Sequence, residues 1–303
     1  MERLKVISQH LVPNQTHWVM KNVDQFPFTH TGTLKGKTIV ISGASRGIGL
    51  AIAKRAAKDG ANVAILAKTV EPHSKLEGTI FTAAKDIEKL GGKALPIQCD
   101  IRYEDQVKKA IDQVVGKFGG IDILINNASA ISLTPTLHTD MKRYDLMHSI
   151  NTRGTFLMSK TCIPHLLKAQ NPHILNMSPP LSMKPKWFGM HVAYTMAKYG
   201  MSMCVLGMSE EFKGQIGVNA LWPRTSIATA AVKFALGGDE MMKRSRNEDI
   251  LSDAAYIILT SCHKATNGNF FLDDEVVGPM NLAKYNIDKK IPVEELMPDF
   301  FVD

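Results

Sequence analysis

A tyrosine and a lysine stand four residues apart, at Tyr194 and Lys198, in a segment whose pattern predicts a helix. Residues at this spacing share one helix face and can contact the same ligand. A phenol with a pKa of about 10 is a poor acid–base catalyst at neutral pH, and a neighbouring ammonium favours its phenolate form. Moving that pKa to about 7 requires about 4 kcal/mol, more than one exposed charge supplies. We therefore expect a bound cation and partial burial of the phenol to contribute.

The same spacing occurs a second time, because Tyr285 and Lys289 repeat it near the C-terminus. The two pairs differ in their position along the chain. Tyr194 begins the helix that follows the fifth predicted strand, whereas Tyr285 lies beyond the last predicted strand. We take the first pair as the candidate for catalysis and expect the second to be incidental.

A glycine-rich turn joins the first predicted strand to a helix that begins near Ile48. Glycines at such a turn permit tight backbone geometry and let a ligand approach, and the free amides at the start of the helix attract pyrophosphate. The position of the turn in a strand–helix–strand unit favours a dinucleotide site over a plain glycine-rich turn. The candidate binding residues are Gly43, Ser45, Arg46, Gly47, Ile48 and Gly49.

The end of the second predicted strand bears on the choice between NAD and NADP. Folds that bind NAD usually place there a carboxylate that contacts the adenosine ribose. This chain has Ala67, Lys68 and Thr69 instead, so no carboxylate repels a 2′-phosphate, and Lys68 and Arg46 can meet it as cations. NADP is therefore favoured, the alternative being that Lys68 is an ordinary surface lysine. Asp100, at the end of the third predicted strand, either contacts the adenine amino group or caps the following helix.

Apolar, strand-like runs alternate with amphipathic helical patterns from residue 37 onwards. Strands that are apolar on both faces and alternate with helices indicate a parallel sheet with right-handed crossovers. The sequence therefore predicts a single α/β domain with a doubly wound, Rossmann-type, seven-stranded parallel sheet and helices on both faces. Strands are predicted at 37–42, 62–67, 94–99, 121–126, 173–177, 216–222 and 269–272, and helices at 47–59, 79–90, 104–117, 140–169, 191–213 and 249–260.

The composition is that of a globular protein, with 303 residues of which 45% are apolar and 21% charged. The four cysteines contain no C-x-x-C pair, which disfavours a zinc site and a disulfide framework, and we expect no metal site. No window approaches the roughly 18 consecutive apolar residues of a membrane-spanning helix, so we expect no transmembrane segment.

The formal net charge of +7 is unevenly distributed, since residues 271–303 hold eight acidic side chains and three lysines, leaving +12 on the first 270 residues. A basic body fits scattered surface lysines or a phosphorylated ligand such as NADP. No basic run is interleaved with aromatic residues, so we expect no nucleic-acid partner. We divide the chain into an N-terminal arm (1–33), a catalytic domain (34–275) and an acidic C-terminal tail (276–303).

Further landmarks accompany the glycine turn in chain order. Asn126-Asn127-Ala128 ends the fourth predicted strand, Asn151 lies in the next helix, and Ser178 follows the fifth predicted strand, ahead of the Tyr194-x-x-x-Lys198 pair. With these landmarks in this order, residues 34–275 resemble the short-chain dehydrogenase/reductase family. The cation that the phenol needs is then the oxidised nicotinamide of the cofactor.

The resemblance implies a role for each landmark. Tyr194 exchanges a proton with the substrate oxygen, while Lys198 holds the nicotinamide ribose and lowers the pKa of Tyr194. Ser178, with Ser182 as the alternative, hydrogen-bonds the substrate carbonyl, and Asn151 fixes a water in the proton relay. Further cofactor contacts are implied for Asn127, Pro223 and Thr225.

We therefore expect an NADP-dependent oxidoreductase that transfers a hydride between the nicotinamide and a carbonyl or hydroxyl group of an apolar substrate, such as a lipid, fatty-acyl or steroid compound. The loop 179–190, with Trp187, Phe188 and two methionines, and the small apolar segment 227–236 are candidates for a lid. The alternative is a dehydrogenase-fold subunit with a structural or assembly role in a larger complex, which it contacts through its arm.

The family resemblance also implies a homodimer or tetramer, paired through the helices that bear Asn151 and Tyr194. The first 33 residues carry three basic and two acidic side chains and three histidines, which makes them a weak mitochondrial presequence. We expect a mitochondrial location, with the cytoplasm as the alternative. The terminal residues, Phe300 to Asp303, contain no peroxisomal signal, so a peroxisomal location is disfavoured.

Overall fold

The computed structural model describes residues 32–74 and 76–302. The expected N-terminal arm and the targeting signal within it lie almost entirely outside the described residues. In the part that is described, no helix is both long and apolar enough to cross a bilayer.

A parallel sheet of seven strands forms the centre of the described chain, in the order β3-β2-β1-β4-β5-β6-β7. The predicted doubly wound α/β fold is confirmed, and the predicted strands agree with the observed ones within two residues at each end. The strands are β1 (Thr38–Ser42), β2 (Asn62–Ala67), β3 (Lys93–Gln98), β4 (Ile123–Asn126), β5 (His173–Asn176), β6 (Gly217–Trp222) and β7 (Phe270–Leu272).

The helices follow the predicted alternation, with two exceptions. The predicted helix 140–169 is divided by a π-helical segment, Ser149–Gly154, and two short helices, α7 and α9, were not predicted. The helices are α1 (Gly47–Ala57), α2 (Ile80–Lys89), α3 (Glu104–Phe118), α4 (Met141–His148), α5 (Thr155–Leu166), α6 (Val192–Glu211), α7 (Gly238–Lys243), α8 (Asp249–Thr260) and α9 (Asp273–Val277).

The sheet is covered on both faces, because successive side chains of each strand point to opposite sides. In β1, Ile39 and Ile41 join a core layer formed with α1, α2 and α8, whereas Val40 joins the opposite layer, formed with α3, α5 and α6. This two-sided burial explains why the strands are continuous apolar runs in the sequence.

The strand order reverses between β1 and β4, which pair with each other although β2 and β3 lie between them in the sequence. In open α/β sheets, ligands bind at the carboxyl ends of the strands at such a switch point. Gly43 follows β1 and Asn127 follows β4, so the glycine turn and the Asn127 landmark meet at this point.

The acidic C-terminal stretch ends in a segment that packs against the loop following β6. We call residues 296–302 the terminal segment. The Ser226 amide donates a hydrogen bond to the Met297 carbonyl (2.8 Å), and the Asp299 amide donates to the Arg224 carbonyl (3.0 Å). These bonds bring the terminal segment to the carboxyl edge of the sheet, beside the candidate catalytic residues.

Candidate active site

A cleft of about 960 Å³ opens at the switch point of the sheet. Its volume lies within the range of small-molecule and cofactor pockets, roughly 300–1,000 Å³. Eight of the predicted cofactor-binding residues line it: Gly43, Ser45, Arg46, Gly47, Ile48, Lys68, Asp100 and Asn127. The predicted lid segment contributes Ala228, Thr229, Ala230, Ala231, Lys233 and Phe234 on the other side.

The glycine turn is held by close backbone approaches that leave no room for side chains. Gly43 has φ +72°, and a Cβ built on it would lie 2.8 Å from the Ala128 Cα. A Cβ on Gly49 would lie 2.9 Å from the Gly43 carbonyl oxygen. The Asn127 side-chain amide donates to the carbonyls of Ser42 (3.1 Å) and Gly43 (3.0 Å). Gly43 and Gly49 are therefore required by the fold as well as by any ligand.

Helix α1 begins at Gly47 with its first amides directed into the cleft region, and the Arg46 side chain does not cap it. Amides at a helix start that lack a cap are suited to an anion. The Arg46 guanidinium instead donates to the carbonyls of Glu77 (2.8 Å) and Gly78 (2.7 Å). Arg46 thus fixes the loop that follows β2 at the edge of the cleft.

Lys68 and Asp100 lie at the ends of neighbouring strands on one side of the cleft. Lys68 is exposed and forms no hydrogen bond or ion pair with another described residue. The Asp100 carboxylate accepts three bonds from the Arg102 guanidinium (2.6, 3.0 and 3.1 Å). Burial opposes ionisation of Asp100, but the hydrogen bonds from Arg102 and the charges of Arg102 and Lys68 outweigh it and lower the pKa of Asp100. The alternative that Asp100 caps the next helix is wrong, because α3 starts without a side-chain cap.

Helix α6 brings Tyr194 and Lys198 to the same buried face, as the spacing predicts. The two residues are 4% and 3% exposed. The Lys198 ammonium donates to the Met177 carbonyl at the end of β5 (2.9 Å). The Tyr194 phenol forms no hydrogen bond with another described residue. The pair therefore lies at the carboxyl edge of the sheet, and the phenol has no hydrogen-bond partner among the described residues.

Burial shifts the pKa values of both residues towards their neutral forms. It lowers the pKa of Lys198 to about 7, and the charge of Asp299 partly opposes this shift. It raises the pKa of Tyr194 above its ordinary value, and Asp299 raises it further. The expectation that partial burial would help to form the phenolate was wrong, because removal from water disfavours the charged form. The Tyr194 phenol is a proton donor at neutral pH.

Asn151 lies inside the π-helical segment between α4 and α5 and is fully buried. Its side chain accepts a hydrogen bond from the Ala130 amide (2.8 Å) and donates to the Ala130 carbonyl (2.9 Å). Next to it, the Thr152 hydroxyl donates to the Ala197 carbonyl of α6 (3.0 Å). The Asn151 amide group thus fixes the chain after β4. π-Helical turns often occur at functional sites because they disturb the regular hydrogen-bond ladder.

The two candidate serines differ in their hydrogen bonding. The Ser178 hydroxyl is buried and has no partner among the described residues. The Ser182 backbone is held by the Tyr199 hydroxyl, which donates to the Ser182 carbonyl (2.8 Å), and the Ser182 hydroxyl accepts a bond from the Lys184 amide (3.4 Å). A buried hydroxyl without a partner requires an explanation, and a bound ligand or water supplies one.

The loop after β6 shows a second unpartnered hydroxyl. The Thr225 hydroxyl oxygen is buried without a hydrogen-bond partner in the described chain. Its neighbour Arg224 forms ion pairs with Asp274 and Glu275 of α9 (both 2.5 Å). The Arg224 side chain therefore points away from the cleft and anchors the loop of Pro223 and Thr225 to the body of the protein.

A second cavity, of about 420 Å³, lies near the start of α6, the helix that carries Tyr194 and Lys198. Its lining includes Trp187 and Met190 of the predicted lid loop, together with Phe300 of the terminal segment. The His191 ring, also part of this wall, lies 6.1 Å from the Tyr194 ring centre. This cavity is a candidate substrate site.

The terminal segment is the part of the site that the sequence reasoning missed. The Phe301 ring is 2% exposed and lies 5.3 Å from the Tyr199 ring and 6.1 Å from the Tyr194 ring, measured between centres. Trp222 donates from Nε1 to the Phe300 carbonyl (2.8 Å). One feature of the sequence could have indicated this contact: Phe300 and Phe301 are adjacent at the end of an acidic stretch. Exposed aromatic side chains are unfavourable, so such a pair indicates burial.

The second tyrosine–lysine pair lies elsewhere and is not presented by a helix face. Tyr285 ends a 3₁₀ turn, and its hydroxyl donates to Asp253 (2.8 Å). The Lys289 ammonium donates to the Lys284 carbonyl (2.5 Å). The two side chains serve separate local contacts.

Comparisons with known proteins agree with this geometry. The family profile described as short chain dehydrogenase matches residues 37–235. The chain is 58% identical over 274 residues to hydroxysteroid dehydrogenase-like protein 2 of Danio rerio, and the match covers 90% of this chain and 66% of that protein. It is 56% identical to the Homo sapiens protein of the same name, with 90% of this chain and 65% of that protein covered. The chain thus spans about two thirds of the length of these relatives.

A solved short chain dehydrogenase from Mycobacterium thermoresistibile has the same fold. It superposes with a TM-score of 0.83 at 52% identity, covering 89% of this chain and 96% of that one. A solved structure from Xanthomonas campestris superposes with a TM-score of 0.86 at 51% identity, covering 89% and 99% of the two chains. Fold, glycine turn and catalytic pair agree with the sequence matches: the chain belongs to the short-chain dehydrogenase/reductase family of oxidoreductases.

Proposed function

We propose that this protein is an NADP-dependent oxidoreductase that acts on a carbonyl or hydroxyl group of an apolar substrate. The observation that supports NADP is Lys68, an exposed ammonium without an ion-pair partner among the described residues, at the edge of the cofactor cleft. Asp100, a carboxylate whose charge interacts with Lys68, is already paired with Arg102. An added 2′-phosphate beside Lys68 therefore meets a free cation.

The residues of the cleft fit a nicotinamide dinucleotide. The uncapped start of α1 suits the pyrophosphate, and the buried, unpartnered Thr225 hydroxyl suits the carboxamide. Lys198 would hold the nicotinamide ribose, and Asn127 fixes the turn on which the pyrophosphate would lie. When bound, the nicotinamide exchanges a hydride with the substrate carbon.

The proton that accompanies the hydride is supplied by side chains of this protein. Tyr194 remains protonated at neutral pH because burial raises the pKa of its phenol, so it donates a proton to the substrate carbonyl oxygen as the carbonyl carbon accepts the hydride. The Ser178 hydroxyl, which lacks a partner, donates a hydrogen bond to the same oxygen. The Lys198 ammonium stabilises the phenolate that remains.

The apolar substrate is supported by the cavity beside α6. Leu133, Trp187, Met190 and Phe300 supply most of its wall, with the Lys186 stem at one side. Pockets of this kind bury a ligand mainly through apolar contact and use a few polar groups for orientation. A long-chain aldehyde or ketone is the class of substrate that fits.

Removing the Lys68 charge should weaken NADPH binding while leaving NADH binding unchanged. The loss of one charge-assisted contact to the 2′-phosphate corresponds to a roughly 10- to 100-fold weaker Kd. Isothermal titration of the full chain and of Lys68→Ala with NADPH and NADH measures this. Lys58→Ala, which removes an exposed lysine outside the cleft, is the control.

Two other outcomes would change the interpretation. Equal binding of NADPH and NADH, unaffected by Lys68→Ala, would refute the NADP assignment. The assignment as a nicotinamide-dependent enzyme would still stand. Binding of neither nucleotide would instead favour a dehydrogenase fold retained for assembly into a larger complex.

We also propose that the chain forms a homo-oligomer through α5 and α6. Large apolar side chains are exposed on both helices, with Phe156 at 53% and Met203 at 60%. We expect light scattering to give at least twice the monomer mass, and Met203→Glu to lower that mass by placing a charge in the buried interface. Met280→Glu, at an exposed methionine on a distant turn, is the control. A monomeric parent chain would refute the proposal.

A further inference from the structure

The terminal segment brings an acidic residue, Asp299, to the region of Trp222, which the catalytic lysine also approaches. The Asp299 amide donates to the Arg224 carbonyl (3.0 Å), and the next residue accepts from Trp222 Nε1 (2.8 Å). The Lys198 ammonium lies 4.9 Å from the centre of the Trp222 ring. Trp222 thus contacts both Lys198 of α6 and Phe300, the residue that follows Asp299.

The position of Asp299 is fixed on its other side by Phe301. This ring packs among Tyr194, Trp222 and other aromatic rings and is 2% exposed. Its backbone adopts φ +70°, a conformation that is costly for a residue other than glycine and persists only where surrounding contacts impose it. The Asp299 backbone therefore cannot move away without loss of the aromatic packing.

The charges of Asp299 and Lys198 act on each other in a partly buried environment. Burial and the charge of Asp273 raise the pKa of Asp299 to about 7, and Lys198 opposes this shift. Burial lowers the pKa of Lys198 to about 7, and Asp299 opposes that shift. Each group thus supports the charged form of the other.

Other charged groups near the pair are engaged elsewhere. The Arg224 guanidinium pairs with Asp274 and Glu275 and not with Asp299. One Asp299 oxygen accepts the Phe300 amide (2.7 Å). Among the described residues, the titratable groups that face the pair include Tyr194, on the same helix as Lys198, and the buried Asp273, which in turn interacts with Arg246. The His191 ring packs against Tyr194 and Phe300.

We propose that Asp299 is a positioning residue for the catalytic lysine, since its carboxylate keeps the Lys198 ammonium charged next to the Tyr194 phenol. This inference rests on the proposed function, in which these two residues carry the proton transfer. It assigns a part of the reaction to a residue beyond the match with the family profile, which ends at residue 235.

The test is a direct titration of Lys198 in the full chain. With lysine labelled by ¹³C at Cε, NMR follows the ammonium of Lys198, and the Lys198→Arg variant assigns its resonance. Asp299→Asn should lower the Lys198 midpoint by about one pH unit or more, a tenfold change, since an opposite charge at close range favours the charged form. Asp299→Glu should restore most of the shift. Glu294→Gln, which removes an exposed charge upstream of the terminal segment, should leave the midpoint unchanged.

A Lys198 midpoint that is the same in Asp299→Asn and in the parent chain would overturn the inference. If Asp299→Asn does not fold, ¹³Cγ-aspartate spectra of the unaltered protein decide instead: the Asp299 resonance should respond at the Lys198 midpoint, and independent titration of the two groups would refute the coupling. These measurements need neither cofactor nor substrate, so their outcome is separate from that of the proposed function.

A kinetic measurement provides a second readout. Reduction of decanal with NADPH should decline as pH rises through the pKa of Lys198, since the ammonium is lost. In Asp299→Asn this decline should occur at lower pH, with kcat affected more than KM for decanal. A uniform loss of activity with an unchanged pH profile would indicate a merely structural role for Asp299 and would contradict the proposal.

Discussion

Replacing Tyr194 with phenylalanine should lower the turnover of decanal with NADPH roughly 10³-fold, within the range attributed to positioned proton donors. The phenol is the group on α6 that is free to meet a substrate oxygen, and its pKa is raised, so it carries the proton at neutral pH. The ring of the variant still fills the space beside Phe301. NADPH affinity should therefore change little. Steady-state NADPH oxidation, together with calorimetric titration of the cofactor, measures both quantities.

The chain offers a matched control in its second tyrosine–lysine pair. Tyr285→Phe removes a hydroxyl that donates to Asp253 and leaves the catalytic helix untouched. It should cost about 1 kcal/mol of stability and leave turnover unchanged. If Tyr194→Phe kept a tenth or more of the parent turnover, the proton would have to come from another group, and the catalytic assignment of Tyr194 would be wrong.

Alanine at Gly43 should abolish measurable NADPH binding and destabilise the fold by roughly 2 to 4 kcal/mol. The backbone there has φ +72°, and the added methyl group would lie 2.8 Å from the Ala128 Cα, a backbone atom that cannot rotate away. To relieve this contact, the ends of β1 and β4 must move apart. The cleft opens between these strand ends, so its shape changes. Thermal unfolding and NADPH titration of the variant measure the two effects.

Gly116 provides the comparison for Gly43. It lies on the exposed side of α3, and a Cβ built on it meets nothing within 4 Å. Gly116→Ala should raise stability by up to about 1 kcal/mol, because alanine is the better helix former, and should leave NADPH binding intact. Equal stability of the two variants would show that the glycine turn tolerates a side chain.

The fold was largely predictable from the sequence because strands buried on both faces are continuous apolar runs, and the strand order follows from alternation with helices. The π-helical segment around Asn151 was not predictable, since one extra residue in a turn barely changes the apolar period. The short α7 and α9 carry too few turns to show a period at all.

The site was predictable where chemistry depends on local order, as at the glycine turn and the pair on α6. It was not predictable where residues distant in sequence meet. Phe300 contacts Trp222 from 78 residues away, and nothing in either local pattern indicates the other. The effect of burial on Tyr194 was assigned the wrong sign, because removal from water disfavours the phenolate. Part of the surroundings of the phenol, Phe301 and Asp299, comes from this unpredicted contact.

The pairing of β1 with β4 also has a consequence for how the protein acquires its binding site. The Asn127 amide reaches the Gly43 carbonyl across 84 residues of chain, with β2, β3, β4 and three helices in between. Contacts of such long sequence separation carry a large loop-closure cost and form slowly during folding. A newly synthesised chain therefore cannot bind nucleotide while its first strands are forming. Affinity for the dinucleotide arises only after β4 has been made and has inserted next to β1, so cofactor capture marks a late step of folding.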